Sequence, residues 1–430
     1  MRFSVLFLHL LLAAPLCAEN WPQWRGPRLD GTSHDSGFPK DCNFAQAIWR
    51  TPLPGEGHAS PIVWNDRIFT VASVAETGQR LLLCLDRANG SILWQSTVIK
   101  SPLEKKHGLN SHASSTPATD GEKIFTAFLD IPPSEQNEPG RKQHVTPGEA
   151  VVSAHDFSGK LVWQKRVGRF SSTHGFCSSP ILFQDKVIVN CDHDGDGYIV
   201  ALARADGREL WRIDRPNKTR SYCAPMIREL AGRPQMVLSG SKCVASYDPN
   251  NGKLIWIIDG PTEQFVASMV YNDRARLLFM TGGFPEHHLL AIKPDGTGNV
   301  TDSHVAWHVV NKGVSYVPSP IAEGDYFLVV SDSGIGHCLE AATGRIVWTE
   351  RMGEHHASLV SAEGRVLFIN DKGETRLVKP GERYELLAEG NFNEKVFASP
   401  ALSEGQVFVR GDKTMACLGR RIPVARTAAK

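Results

Sequence analysis

A segment of roughly forty residues recurs along nearly the whole chain, and a repeat of that period builds stacked or radial units that cannot bury a core alone. Each copy runs from a small-Ser-Pro opening through a short apolar strand, a turn, a second strand and a loop. A third apolar strand then ends near Asp, and a Gly turn leads to Trp. Copies read His58-Ala59-Ser60-Pro61 to Trp94, Cys177-Ser178-Ser179-Pro180 to Trp211, Tyr222-Cys223-Ala224-Pro225 to Trp256 and Val317-Pro318-Ser319-Pro320 to Trp348. A length of 430 residues would ordinarily suggest several domains. Radial repetition instead predicts one large domain, here residues 19–419.

The tryptophans count the units: Trp49, Trp94, Trp163, Trp211, Trp256, Trp307 and Trp348, with Leu387 where the next is due. This predicts an all-β, eight-bladed β-propeller of four-stranded antiparallel blades. In the third copy the strands are expected at Ile181–Phe183, Lys186–Cys191, Tyr198–Leu202 and Glu209–Ile213, with Asp206-Gly207 as the tight turn. The last copy, from Phe397-Ala398-Ser399-Pro400 to Gly419, lacks an outer strand, whereas the N-terminal run Phe44–Arg50 carries Trp49 with no repeat before it. Pairing the two completes the eighth blade and removes exposed sheet edges. The recurrent Trp is read as scaffold, its ring wedged between blades and its indole N–H given to a backbone carbonyl. Leu387 predicts looser docking of the seventh blade.

Residues 1–18 read as a secretory signal peptide, with Arg2, the apolar run Val5–Leu12 and Ala18 at the cut. Leu16 is too large for a lipoprotein signal at Cys17. No other stretch is apolar enough to span a membrane, so a periplasmic or secreted protein is expected. Losing Arg2 with the leader leaves 46 basic and 46 acidic residues. That balance, without a basic stripe, argues against a nucleic-acid partner, and the basic run within 420–430 reads as a solvated tail. Cys84, Cys338 and Cys417 share one repeat position, too far apart to bridge, and read as small buried hydrophobes. Cys177, Cys191, Cys223 and Cys243 lie in neighbouring copies, and no bridge among them is predicted.

The Ser-Pro opening, the Leu-Asp-x-x-x-Gly turn and the Trp together resemble the pyrroloquinoline-quinone (PQQ) type β-propeller repeat, most clearly in Leu85-Asp86-Arg87-Ala88-Asn89-Gly90-Ser91-Ile92-Leu93-Trp94. The resemblance covers roughly residues 44–419. It implies the fold but not one function, because quinoprotein dehydrogenases share the repeat with cofactor-free propellers such as the outer-membrane assembly lipoprotein BamB. The start Trp21-Pro22-Gln23-Trp24-Arg25-Gly26-Pro27 also resembles exported propellers of the planctomycete type. The quinoprotein alcohol dehydrogenases imply a vicinal cysteine pair beside the cofactor. This chain has no Cys-Cys, and no Cys-x-x-Cys-His for haem, so no PQQ cofactor is expected.

Strand order places the linkers entering each inner strand on the same face as the loops between second and third strands. The linkers hold His58, His107, His112, His174, Tyr222, Tyr316, His355 and His356. The loops hold Asp192–Gly197, Gly282–His288 and the insert Ile131–Glu149. Imidazoles at a channel mouth are candidate ligands for zinc or iron, although adjacent residues such as His355 and His356 point apart on a strand. Asp192-x-Asp194-x-Asp196-Gly197 resembles the start of a calcium loop, but Ala203 stands where the bidentate Glu belongs. It is set against a simple hairpin of solvated carboxylates. With no nucleophile motif, the expectation is a monomeric, non-catalytic propeller that binds a protein, peptide or carbohydrate at its His/Tyr-rich mouth. The alternative is a quinoprotein or metal-dependent oxidoreductase.

Overall fold

The recurrent copies fold as eight blades of four antiparallel strands, two of them extended by a short parallel fifth strand, in a computed structural model that describes residues 19–132, 146–311 and 313–421. The signal-peptide expectation, most of the blade 2 insert and nearly all of the tail lie outside the described residues. Blade 1 comprises Ile62–Trp64, Arg67–Val74, Gln79–Asp86 and Ile92–Lys100. Blade 3 comprises Ile181–Phe183, Lys186–Cys191, Tyr198–Ala203 and Glu209–Asp214, the last two one residue longer than expected. In blade 3 the second and third strands are buried throughout, while the outer strand is partly exposed. This is why their sequences read as continuous apolar runs rather than alternating ones.

The ring closes through blade 8, where Trp49–Pro52 pairs antiparallel with Thr414–Gly419 and sets Trp49 opposite Cys417. The closing strand is shorter than the Phe44–Arg50 run suggests. Phe44–Gln46 is a 3₁₀ turn instead, capped by the Asn43 side chain, which accepts from the Ala45 N–H.

The tryptophans join each blade to the next. The indole N–H groups of Trp49, Trp94, Trp163, Trp211 and Trp307 donate to the carbonyls of Arg87, Phe157, Arg204, Pro249 and Ala341, at 2.9–3.2 Å. Each ring also covers a turn glycine of the following blade. Gly159, at φ +87°, would bring a Cβ to 2.8 Å from the Trp94 ring, so this turn needs glycine both for its backbone and for the ring above it.

Two tryptophans depart from the carbonyl expectation. Trp256 donates to Gln235 Oε1 at 2.8 Å, and Gln235 Nε2 donates onward to the Pro294 carbonyl, so a side chain relays the bond. The Trp348 indole nitrogen is buried without a partner, and its ring meets Tyr384 edge-on at 5.2 Å. In blade 7 the residue in the Trp position is Ala388, opposite Leu377, not Leu387. The preceding turn, from Val378 to Leu386, is one residue longer than that from Leu85 to Ile92 in blade 1, so Leu387 falls at the exposed bulge position that Leu93 takes there.

The chain start performs a task that the repeat does not announce. Trp21 bridges to Val63 of blade 1, and Thr119 of blade 2 donates to the Pro22 carbonyl. Leu182 of blade 3 donates to the Gln23 side chain. Arg25, buried, donates to the carbonyls of Ser319, Pro320 and Leu359, and Thr32–Ser33 adds a parallel strand to the inner edge of blade 7. Residues 21–33 thus run across the inner strands and plug the channel. The described cysteines are all unpaired, and Cys84, Cys338 and Cys417 are buried at their shared position.

Candidate functional site

A belt of hydroxyls organises the strand entries around the channel. The backbone N–H of Ser60 donates to Thr116 Oγ1, that of Thr116 to Ser179 Oγ, and those of Ser268, Ser319 and Ser358 to the hydroxyls of Ser319, Ser358 and Ser399. The repeated serines therefore hold neighbouring blades in register. Ala224 interrupts the belt at blade 4. At the entry to blade 5 the Ser268 hydroxyl accepts the indole N–H of Trp24 at 3.0 Å.

Above this belt lies a cavity of about 620 Å³. Trp24, at the tip of the plug, lines it, so the channel mouth is a bowl with a floor rather than an open pore. The entry linkers and the second-to-third loops meet there as strand order implies. His58, His107, His174, Tyr222, Tyr316 and His356 all line the bowl. His287 and Phe284 join them from the blade 5 loop and Asp332 from the blade 6 loop.

The rings are arranged in touching pairs. His107 and His174 lie 5.4 Å apart, His174 and Tyr222 5.7 Å, and His287 stacks on Tyr316 at 6.2 Å. Phe397 takes His58 on one side at 4.7 Å and His356 at 5.2 Å. Burial pushes the His58 imidazole down to about 4, helped by the charge of Arg410, so it is neutral at pH 7. His174 is also held below its ordinary value, by burial and by Arg220. Burial works against charge on His356 too, but its 2.7 Å bond from Nδ1 to Asp371 outweighs this and raises it. Burial raises the Tyr316 phenol to about 12 and the Cys177 thiol to about 12. Both remain protonated, and Cys177 is a poor nucleophile.

Two expected members are elsewhere. His112 bonds the Glu104 carbonyl at 2.9 Å. His355 is buried, with Nδ1 2.6 Å from the Gly353 carbonyl and its ring against Phe368. Its side chain points away from that of its neighbour His356, as alternation along an extended chain requires. Each carboxylate of the Asp-rich hairpin meets a cation of its own. Asp192 is buried against Arg215 at 2.9 Å, Asp194 meets Arg220 at 2.6 Å, and Asp196 meets Lys218 at 2.6 Å. The three carboxylates diverge because the following linker supplies a separate cation for each. Among the described residues no three His, Cys, Asp or Glu side chains group as a metal site.

Several bowl residues escaped sequence reasoning. Trp24, Arg220, Val266, Asp332 and Phe397 were not among the expected site residues, although Trp24 lies in the Trp21–Pro27 run and Phe397 in the last Ser-Pro opening. A further signal was that Asp332, Arg220 and Phe397 fall in the same loops and linkers as the histidines.

The family model described as outer membrane protein assembly factor BamB matches residues 45–131, 80–350 and 296–379. The chain belongs to that family. Its propeller is similar to BamB from Moraxella catarrhalis, at 13% identity and a TM-score of 0.59, covering 87% of this chain and 99% of that one. It is also similar to a europium-containing methanol dehydrogenase, at 12% identity and a TM-score of 0.51, covering 91% and 90%. These likenesses establish the PQQ-like propeller fold shared across the family. No curated protein matches the chain. Among the described residues no helix is long and apolar enough to cross a membrane.

Proposed function

We propose that this family member is an exported, non-catalytic binding protein that captures its ligand in the bowl at the channel mouth. One observation carries the reading: a cavity of about 620 Å³, lined by Trp24, Tyr222, Tyr316, Phe284, Phe397 and paired imidazoles, is floored by the chain's own plug. A concave, ring-lined site with a few convergent polar groups is the usual form of a ligand pocket. The serine hydroxyls of the belt hold backbone N–H groups, and Cys177 is held protonated, so the lining offers recognition more readily than nucleophilic attack. A protein or peptide segment, or a carbohydrate, would present rings or apolar groups to these faces.

Ligand titration followed by intrinsic fluorescence tests this. Trp24→Ala and Tyr316→Ala are expected to weaken binding at least tenfold while thermal melting stays within a few degrees. A ligand that binds both variants as well as the parent protein would place recognition elsewhere.

A catalytic reading rests on His356, whose Nδ1 bond to Asp371 fixes the imidazole at the bowl in the arrangement of a general base. It requires turnover that falls with His356→Ala.

A further inference from the structure

The free hydrogen-bonding valences of the bowl select the charge of what it holds. Two groups of full charge meet the cavity with clear partners, Arg220 and Asp332. Asp332 is held at both oxygens by its own neighbourhood: Oδ1 accepts the Val317 N–H at 2.9 Å and Oδ2 the Tyr316 N–H at 3.1 Å. It therefore anchors the linker that carries Tyr316. Arg220 is fixed from one side only. Its Nη1 donates to Asp194 Oδ1 at 2.6 Å, and Asp194 Oδ2 is held in turn by the Thr173 N–H at 3.2 Å. Among the described residues its Nη2 makes no hydrogen bond, and its Nε is buried without a partner. A guanidinium steered by a carboxylate at one end, with unused donors at the other, is built to receive an anion.

The surroundings complete such a site. Tyr222 and Tyr316 lie close enough to feel the Arg220 charge. The Tyr222 hydroxyl is already engaged with Ser172 Oγ at 2.6 Å. The Tyr316 hydroxyl has no hydrogen bond among the described residues, and a phenol that stays protonated can donate to an acid. Beside these donors, Val266, Val317, Phe284 and Trp24 form an apolar wall. The bowl thus pairs an anion-binding end with a surface for a ring or an apolar chain.

We propose that the bowl binds a carboxylate carried on a ring or apolar chain, with the acid group on Arg220 and Tyr316 and the body against Trp24 and Phe284. The inference rests on the bowl being a binding site and adds the class of ligand. The same chemistry is offered by a free small acid and by the C-terminus of a peptide ending in an apolar residue.

Calorimetric titration separates these cases. The probes are phenylacetate, phenylacetamide and phenethylamine, together with an acetyl-capped peptide ending in phenylalanine, with its C-terminus free or amidated. Acids are expected to bind at least tenfold more tightly than their amides. Arg220→Gln should abolish that gap while leaving amide binding unchanged, and Tyr316→Phe should narrow it several-fold in a protein that melts normally. A peptide acid that outcompetes phenylacetate identifies a chain end, and the reverse identifies a small acid. Amide or amine binding as tight as acid binding, or an undiminished gap in either variant, overturns the proposal but leaves the bowl a binding site. Failure of every probe at millimolar concentration overturns both.

Discussion

At the junction of blades 1 and 2 Trp94 caps Gly159 and donates to the Phe157 carbonyl. At the junction of blades 7 and 8 the Trp position holds Ala388, and the chain start fills the space instead. There the Cys42 carbonyl accepts from Thr375 Oγ1 at 3.0 Å, and Phe44 meets Phe392 edge-on at 5.2 Å. One junction is held by a residue that every copy can supply. The other is held by a segment outside the repeat, which is available only where the ring closes. The comparison shows that docking demands an apolar body and a satisfied carbonyl or hydroxyl between blades, and not a tryptophan as such.

The sharpest break of this contrast is Phe44→Ala. Phe44 is buried and belongs to the core shared by blades 7, 8 and 1. Its loss should cost about 3–5 kcal/mol in denaturant unfolding, as much as losing a docked tryptophan. A cost below about 1 kcal/mol would show that the segment does not replace the missing Trp.

Acid strains both kinds of junction. His155 in clasped blade 2 and His355 at the entry to blade 7 are each pushed down to about 4, chiefly by burial. Between about pH 6.5 and 4 only the unfolded chain takes up these protons, so stability falls as pH drops across that window and is unaffected above it. Each contributes at most about 3 kcal/mol of loss. His355→Leu should reduce the acid sensitivity measured by melting at pH 4.5 against pH 7.5, with protection from hydrogen exchange restored first in blade 7.

A smaller effect separates the turns. Gly159→Ala meets both a positive φ and the Trp94 ring and should cost about 2–4 kcal/mol. Gly364, at φ +68° with nothing within 4 Å of an added Cβ, carries only the backbone term, about 1 kcal/mol. Equal melting temperatures for the two alanine variants would show that the ring above Gly159 yields freely.

The finest test compares Trp94→Phe with Trp348→Phe. Both lose similar volume, but only Trp94 gives up a hydrogen bond. The first should be the more destabilising by about 1 kcal/mol.

Much of this was legible because it repeats. Ser179, Ser319 and Ser399 recur at strand entries, and their hydroxyls accept the N–H of the preceding blade. The gathering of His58, His174, Tyr222, Tyr316 and His356 followed from strand order alone. What was not legible involves partners distant in the chain or a local shift of register. The turn joining the last two strands of blade 7, closed by Val378 and Leu386, is one residue longer than the turn closed by Leu85 and Ile92 in blade 1, which placed Ala388 where counting put Leu387. The carboxylates of the Asp-rich hairpin looked convergent because their cations, Arg215, Lys218 and Arg220, lie beyond the next strands. The pairing of His355 with the Gly353 carbonyl could not be told from an exposed imidazole without knowing which way the linker turns.

By itself the sequence determined the number of blades, the closure of the ring and the face on which a site would form. Those features depend on periodicity, which is a property of the chain read in one dimension. Only the tertiary structure decided that the Trp21–Ser33 segment plugs the channel, that Trp24 floors the bowl, and that Arg220 keeps unused donors there while Asp332 is turned to the Tyr316 and Val317 N–H groups. Those features occur once, and their partners come from blades on opposite sides of the ring, so no spacing along the chain encodes them.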